Sequence, residues 1–317
     1  MLIISKMNLF YTKDNTPVSE KNIIETLDKL KIWDTEYLYI HTGLSFGTPN
    51  SNIKKKELLE SVLSIFERFN VKNICFPTFT FSFCNGQDFD VNNSKTKMGS
   101  INDFARKMPN SVRSLDPLMS NVLIGDDIDL VTNLSKQSIG KGSFYDKLHK
   151  RNGVKFLFFG TKVGACYTYM HYIEKMLDVS YRYDKKFTGS IIDSSNKKST
   201  ESYDLFVRYK NVYPGNGTFN YEDKLLKSNI SQRISLGDSS VTILDEAEAP
   251  VLKKKPQRKI IVISGIITGL FLSTLWVFFT SVITLTEKNK HVFWPTMDNP
   301  NKIIIENQLR KHHKPSL

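Results

Sequence analysis

Apolar residues recur at Ile23, Ile24, Leu27 and Leu30 within Val18 to Ile32, which is one face of a helix. The same spacing returns in Lys54 to Phe69, where Leu58, Leu59, Val62, Ile65 and Phe66 share a side. Three short runs carry no polar alternation: Glu36 to His41 (EYLYIH), Asn73 to Phe76 (NICF, stopped by Pro77) and Val154 to Phe159 (VKFLFF, stopped by Gly160). Runs of this kind read as buried strands. Their alternation with helices predicts a parallel α/β core. Tyr167 to Leu177 reads as the start of another helix. Gly86 to Ser100 and Asp193 to Ser202 read as polar loops, and beyond Asp184 the periodicity weakens. Tyr213-Pro214-Gly215-Asn216-Gly217 is a turn, and Ser231 to Lys255, polar and Pro-containing, reads as a linker. No internal repeat is visible.

The pattern changes at Ile260. From there to Thr286 the chain reads IIVISGIITGLFLSTLWVFFTSVITLT without a charge. That exceeds the ~20 residues a membrane helix needs. Lys253, Lys254, Lys255, Arg258 and Lys259 stand before it, and Lys288 and Lys290 follow, offset by Glu287. The stronger basic flank favours keeping the preceding domain in the cytoplasm. Gly265 and Gly269 form a GxxxG spacing, which lets two helices approach and makes a homodimer one expectation.

Composition adds limits. The 317 residues are 40% apolar and 24% charged, which excludes wholesale disorder, collagen and a polytopic membrane protein. The net charge is +12, of which Val251 to Leu317 carries +8 and residues 1–250 only +4. The basic character therefore belongs mainly to the tail and gives no case for a nucleic-acid partner. Cys75, Cys84 and Cys166 are odd in number and widely spaced, which argues against a disulfide framework or a zinc finger.

Three stretches carry candidate chemistry. In Thr168-Tyr169-Met170-His171-Tyr172-Ile173-Glu174 a helix would put residues 168, 171 and 174 on one side. A carboxylate beside an imidazole fixes its tautomer and raises its basicity, which suits a general base. HxxE is equally the spacing of an ordinary exposed helix pair. Arg113 to Asn121 joins Arg and Ser to a turn-forming Asp116-Pro117, a fit for phosphate or for a plain turn. His41-Thr42-Gly43-Leu44-Ser45 supplies small residues after a strand, where backbone N–H groups can approach an anion. There is no G-x-G-x-x-G and no Walker sequence.

Taken in order, these pieces resemble the aminoglycoside 3-N-acetyltransferase family. The matching elements are His41-Thr42-Gly43-Leu44-Ser45, Phe76-Pro77-Thr78-Phe79-Thr80, Met98-Gly99 and Phe104 to Arg106. They continue with Arg113-Ser114-x-x-Pro117-x-x-Ser120, Gly125, Gly142-Ser143 and Phe159-Gly160. Thr168-x-x-His171-x-x-Glu174 and Tyr181-Arg182-Tyr183 close the series, which spans about Val18 to Gly189. The resemblance implies an α/β, non-GNAT acetyltransferase domain using acetyl-CoA and no metal. It implies an acceptor amine on an amino sugar or aminoglycoside. It makes His171 the general base, Glu174 its orienting partner and Thr168 a donor to the developing oxyanion. His41, Thr42, Gly43, Leu44, Ser45 and Phe46, with Arg113, Ser114 and Ser120, would line the coenzyme site. Asp116 departs from the pattern, and the match fades after Gly189.

Val241 to Pro250, the lysines at 253–255 and the apolar run resemble the last membrane passage of polysaccharide chain-length determinant proteins. The expected organisation is a transferase domain at 1–232, a polar and basic linker at 233–259, a transmembrane helix at 260–286 and a basic tail at 287–317. Because acetyl-CoA is cytosolic, the expected setting is the inner membrane, single-pass, with the catalytic domain in the cytoplasm and the bilayer as a partner. The competing expectation is a non-catalytic membrane protein of surface-polysaccharide assembly with a degenerate transferase body.

Overall fold

The computed structural model describes residues 7–212 and 221–245, all within one compact unit, Met1–Pro250. The expected turn at 213–217, the membrane helix at 260–286 with its GxxxG pair, and the tail at 287–317 lie outside the described residues. Among the described residues no helix is long and apolar enough to cross a membrane.

In chain order the strands are β1 (Asn8–Tyr11), β2 (Pro17–Ser19), β3 (Tyr37–Thr42), β4 (Thr48–Pro49), β5 (Asn73–Pro77), β6 (Phe89–Asp90), β7 (Ser111–Arg113), β8 (Asn121–Gly125), β9 (Val154–Phe159), β10 (Arg182–Ile192), β11 (Lys198–Arg208), β12 (Ser231–Leu236) and β13 (Ser239–Asp245). The α-helices are α1 (Glu20–Lys29), α2 (Lys55–Glu67), α3 (Ser100–Ala105), α4 (Phe144–His149), α5 (Val163–Cys166), α6 (Tyr169–Met176) and α7 (Tyr221–Lys227).

Seven strands form the central sheet in the order β12-β13-β9-β3-β5-β8-β7. Only β9, β3 and β5 run parallel to one another. The flanking pairs β5–β8, β8–β7, β9–β13 and β13–β12 are antiparallel. The sheet is therefore mixed, where periodicity predicted a parallel one. The three parallel strands are the three apolar runs seen in the sequence, because a strand covered on both faces has no polar side to show. Leu38, Ile40, Ile74, Phe76, Leu157 and Phe159 face α1 and α2. Tyr39, Cys75, Phe156 and Phe158 face α4, α6 and the β10–β11 hairpin. Ser19 and Asn22 close a reciprocal capping box that starts α1.

Two segments correct the sequence reading. The expected polar loop at 193–202 is only a tight turn at 193–197, and Lys198 begins an eleven-residue strand that pairs throughout with β10. The expected linker from 233 is, as far as Asp245, part of the β12–β13 hairpin, and β13 sits between β12 and β9 inside the sheet. Val241, Ile243 and Leu244 are buried there. The domain thus runs past residue 232.

Candidate active site

The parallel strands β3, β5 and β9 end on one edge of the sheet, at Thr42, Pro77 and Phe159. Ligands in α/β sheets gather at the carboxyl ends of parallel strands. The segment from Gly160 to α6 leaves β9 at this edge. Tyr169 and Tyr172 anchor α6 by packing on its inner side, and the Tyr172 hydroxyl donates to Asp146 Oδ1 at 2.9 Å. With those two tyrosines turned inward, Thr168, His171 and Glu174 share the remaining side.

His171 Nδ1 lies 2.7 Å from Glu174 Oε2. The other carboxylate oxygen accepts from the Tyr181 hydroxyl at 2.8 Å. Arg182 adds a cation: its Nε stands 2.8 Å from Glu174 Oε2, off the line of a hydrogen bond, and its Nη2 is 3.0 Å from His171 Nδ1. Burial pushes the Glu174 carboxyl up, but the His171 and Tyr181 hydrogen bonds and the neighbouring positive charges outweigh it and hold the group below its ordinary value. The same partnership, added to burial, pushes the Tyr181 phenol up to about 12. An ionised Glu174 selects the Nδ1–H tautomer of His171 and leaves Nε2 as the basic nitrogen. Among the described residues nothing hydrogen-bonds to Nε2, and the side chain is 41% exposed. The arrangement can accept a proton from a ligand that approaches from solvent.

Thr168 sits at the N-cap position of α6 without a capping hydrogen bond, and its hydroxyl donates to the Cys166 carbonyl at 3.2 Å. Its hydroxyl also lies near the phenol of Tyr145, which is wholly buried, and moderates the upward shift that burial gives that phenol. The Tyr145 hydroxyl is 3.0 Å from that of Tyr39, which donates to Asn121 Oδ1 at 2.7 Å. Hydrogen bonds therefore run through the core from Asn121 of β8 to Tyr145, which stands near Thr168. The sequence reading missed Tyr39 and Tyr145. Aromatic residues in apolar runs signal core, and only the fold shows that their hydroxyls meet.

The residues expected at the coenzyme separate into two groups. Thr42, Gly43, Leu44 and Ser45 lie on the strand edge, with Gly43 and Ser45 exposed. A Cβ at Gly43 would stand 2.3 Å from the Gly160 carbonyl oxygen, so only glycine lets the two loops touch. His41 and Phe46 are buried. His41 stacks on Phe158 at 5.0 Å, and burial pushes its imidazole down to about 3, so it is neutral and offers no charge to phosphate. Phe46 packs against Phe10 and Phe159.

Arg113, Ser114 and Ser120 are buried with their polar atoms engaged. Arg113 donates to the carbonyls of Thr78 at 2.7 Å, Ser94 at 2.7 Å and Val91 at 3.2 Å, and to Thr78 Oγ1 at 3.3 Å. Ser114 Oγ accepts from the Asn121 N–H, and Ser120 Oγ donates to the Thr78 carbonyl. Asp116 Oδ1 accepts from the N–H groups of Leu118 and Met119 and from the Ser138 hydroxyl. These residues brace the turn between β7 and β8. Among the described residues no group of His, Cys, Asp and Glu is arranged to hold a metal.

A sequence profile described as aminoglycoside 3-N-acetyltransferase matches residues 72–252, more than half of the chain. The chain belongs to this family. It is an acyltransferase by that membership, and the matched span includes the His171–Glu174 pair and the β12–β13 hairpin. Solved structures agree on the fold. "AAC-IIIb binary with CoASH" has a TM-score of 0.59 at 15% identity, covering 71% of this chain and 91% of that one. "AAC-VIa bound to Sisomicin" has a TM-score of 0.60 at 17% identity, covering 73% and 93%. The YokD protein from Bacillus subtilis has a TM-score of 0.57 at 16% identity, covering 75% and 90%. At such identities the likeness is one of fold. None of the curated proteins matches this chain by sequence.

Proposed function

We propose that this chain transfers acetyl from acetyl-CoA to an amine of an amino sugar or aminoglycoside, with His171 as general base. The observation that carries the reading is the 2.7 Å contact of His171 Nδ1 with an ionised Glu174, beside an open Nε2. Nε2 takes the proton from the acceptor amine as its nitrogen bonds to the thioester carbonyl carbon. Glu174 stabilises the imidazolium that forms. Thr168, turning its hydroxyl from the Cys166 carbonyl, donates to the carbonyl oxygen as it becomes an oxyanion. Collapse breaks the carbon–sulfur bond, and the imidazolium returns its proton to the thiolate. The transfer is direct, so Cys166, whose thiol donates to the Lys162 carbonyl at 3.4 Å, serves as a packed small residue.

Membership of the family supports the reading. So do a neighbour of the same fold solved as a binary complex with CoASH and another solved bound to sisomicin. Gly43 and Ser45 are exposed, with their N–H groups bonded to the Phe159 and Gly160 carbonyls, and leave the strand edge open to a coenzyme arm. The need for cytosolic acetyl-CoA, with the basic flank before Ile260, favours a membrane-tethered enzyme whose domain faces the cytoplasm. Thiol release from acetyl-CoA, measured with a panel of amino sugars and aminoglycosides, tests the activity. Release that depends on acceptor and on His171 is expected; no release with any acceptor rejects it.

A further inference from the structure

Acetyl-CoA ends in a 3′-phosphomonoester and a diphosphate, and a site for it needs cations or N–H donors at that end. The basic residue that the sequence nominated, Arg113, spends its guanidinium on main-chain carbonyls and the Thr78 hydroxyl. The loop from Thr42 to Phe46 holds no charged side chain. The cations lie next to it. Lys55 and Lys56 of α2, Lys95 and Lys97 of the segment before α3, and Lys107 just after α3 line a concavity of about 700 Å³. That is within the ~300–1,000 Å³ typical of ligand sites.

Asp103 is the one acidic residue in this wall, and Arg106 and Lys107 already hold it at 2.7 and 2.9 Å. Lys56 has an exposed pair with Glu60. Lys55, Lys95 and Lys97 have no ion pair among the described residues. Lys55 and Lys56 also sit in the first turn of α2, where the helix dipole disfavours cations. This convergence of like charge is unfavourable in the free protein, and an anion relieves it. Leu59 and Phe104 supply apolar surface in the same hollow.

The hollow is joined to the strand edge. Gly99 is part of its wall, and the position of its missing Cβ is 3.6 Å from Thr42 Oγ1. Thr42 Oγ1 donates to Asn102 Oδ1 at 2.6 Å, and Asn102 Nδ2 donates to the Pro77 carbonyl at 2.7 Å. These bonds tie α3 to the ends of β3 and β5.

We infer that the lysine-lined hollow between α2 and α3 binds the phosphorylated nucleotide end of the coenzyme. The inference rests on the reading of acetyl-CoA as co-substrate and goes beyond it by naming the residues that select CoA over shorter thioesters. The experiment uses the full chain and titration calorimetry with CoA, pantetheine and adenosine 3′,5′-bisphosphate. It compares wild type with Lys55→Glu/Lys97→Glu and with the milder Lys55→Gln/Lys97→Gln. Wild type is expected to bind the bisphosphate alone, with affinity that falls as salt rises. The ratio of the dissociation constants for pantetheine and CoA is expected to fall about tenfold or more in the Glu variant and less in the Gln variant. An unchanged ratio, no binding of the bisphosphate by wild type, or binding that survives both substitutions overturns the inference. A catalytic failure is separate: if the ratio shifts as expected but His171→Ala retains acetyl transfer, the base assignment falls and the nucleotide site stands.

Discussion

Arg182 places Nη2 3.0 Å from His171 Nδ1, the same nitrogen that faces Glu174 Oε2 at 2.7 Å. One nitrogen cannot serve both partners as a neutral imidazole. With Glu174 ionised, Nδ1–H points at the carboxylate, and Arg182 acts through its charge on Glu174. The imidazole is thus held by a carboxylate that is itself held by Tyr181, just before β10, and Arg182, its first residue.

His171→Ala should lower kcat by ~10²–10⁴, the usual contribution of a general base. Glu174→Gln should cost less, because the imidazole remains but loses its orientation. Steady-state thiol release at saturating substrates measures both. A loss of less than about tenfold in the alanine variant rejects the assignment.

Tyr145→Phe removes the hydroxyl that bonds to Tyr39 in the core near Thr168. Tyr39 keeps its bond to Asn121, so the loss of this one buried hydrogen bond should cost about 0.5–1.5 kcal/mol in denaturant unfolding. Because the Tyr145 phenol lies near Thr168, kcat should fall several-fold with little change in KM. A change confined to KM goes against the oxyanion role of Thr168.

Asp146 accepts from the Gly142 N–H at 2.8 Å, from Lys150 at 2.6 Å and from Tyr172. Burial pushes its carboxyl up, but these bonds and the Lys150 charge prevail and hold it below the usual carboxylate range. A depressed value in the folded state stabilises the protein above the ordinary carboxylate pKa of about 4, and that contribution is lost as pH falls through the folded value. Asp146→Asn should therefore lower unfolding free energy by about 1–3 kcal/mol at pH 7, and the gap from wild type should narrow below about pH 4. Urea titrations at both pH values measure it; an equal gap at each would contradict the argument.

A chain ended after Pro250 should be soluble and bind CoA, because it keeps β13 and drops the apolar run. A chain ended at Gln232 should not fold, since it strips the antiparallel partner from β9 and exposes the core faces covered by Val241, Ile243 and Leu244. Far-UV circular dichroism and gel filtration separate these outcomes. Folding of the shorter chain would remove β12–β13 from the domain.

Protease added to intact spheroplasts should digest the segment after Thr286 and spare the domain. The basic residues at 253–259 and the cytosolic source of acetyl-CoA are the two arguments for this orientation. Digestion of the domain would end the topology and the acetyl-CoA mechanism together.

The sequence by itself determined the elements whose signal is local. The stripes of α1 and α2, the apolar runs of β3, β5 and β9, and the i,i+3 placement of His171 and Glu174 all follow from periodicity. The antiparallel wings were decided by tertiary structure. The β12–β13 hairpin reads as polar because β12 carries Gln232 and Arg233 outward, and Gly237-Asp238 was its one local cue, the two-residue loop of a hairpin. The β10–β11 ribbon is mostly half-exposed, so its charged residues hide the alternation of Phe187, Gly189 and Ile191. Arg113 is the clearest case at the site. Its residue type suggested phosphate, but four acceptors brought together by the Thr78 and Val91–Ser94 segments claimed the guanidinium first. A side chain's chemistry is written in its own residue. Which partner satisfies it depends on groups far away in the chain, and only the folded backbone brings them within reach.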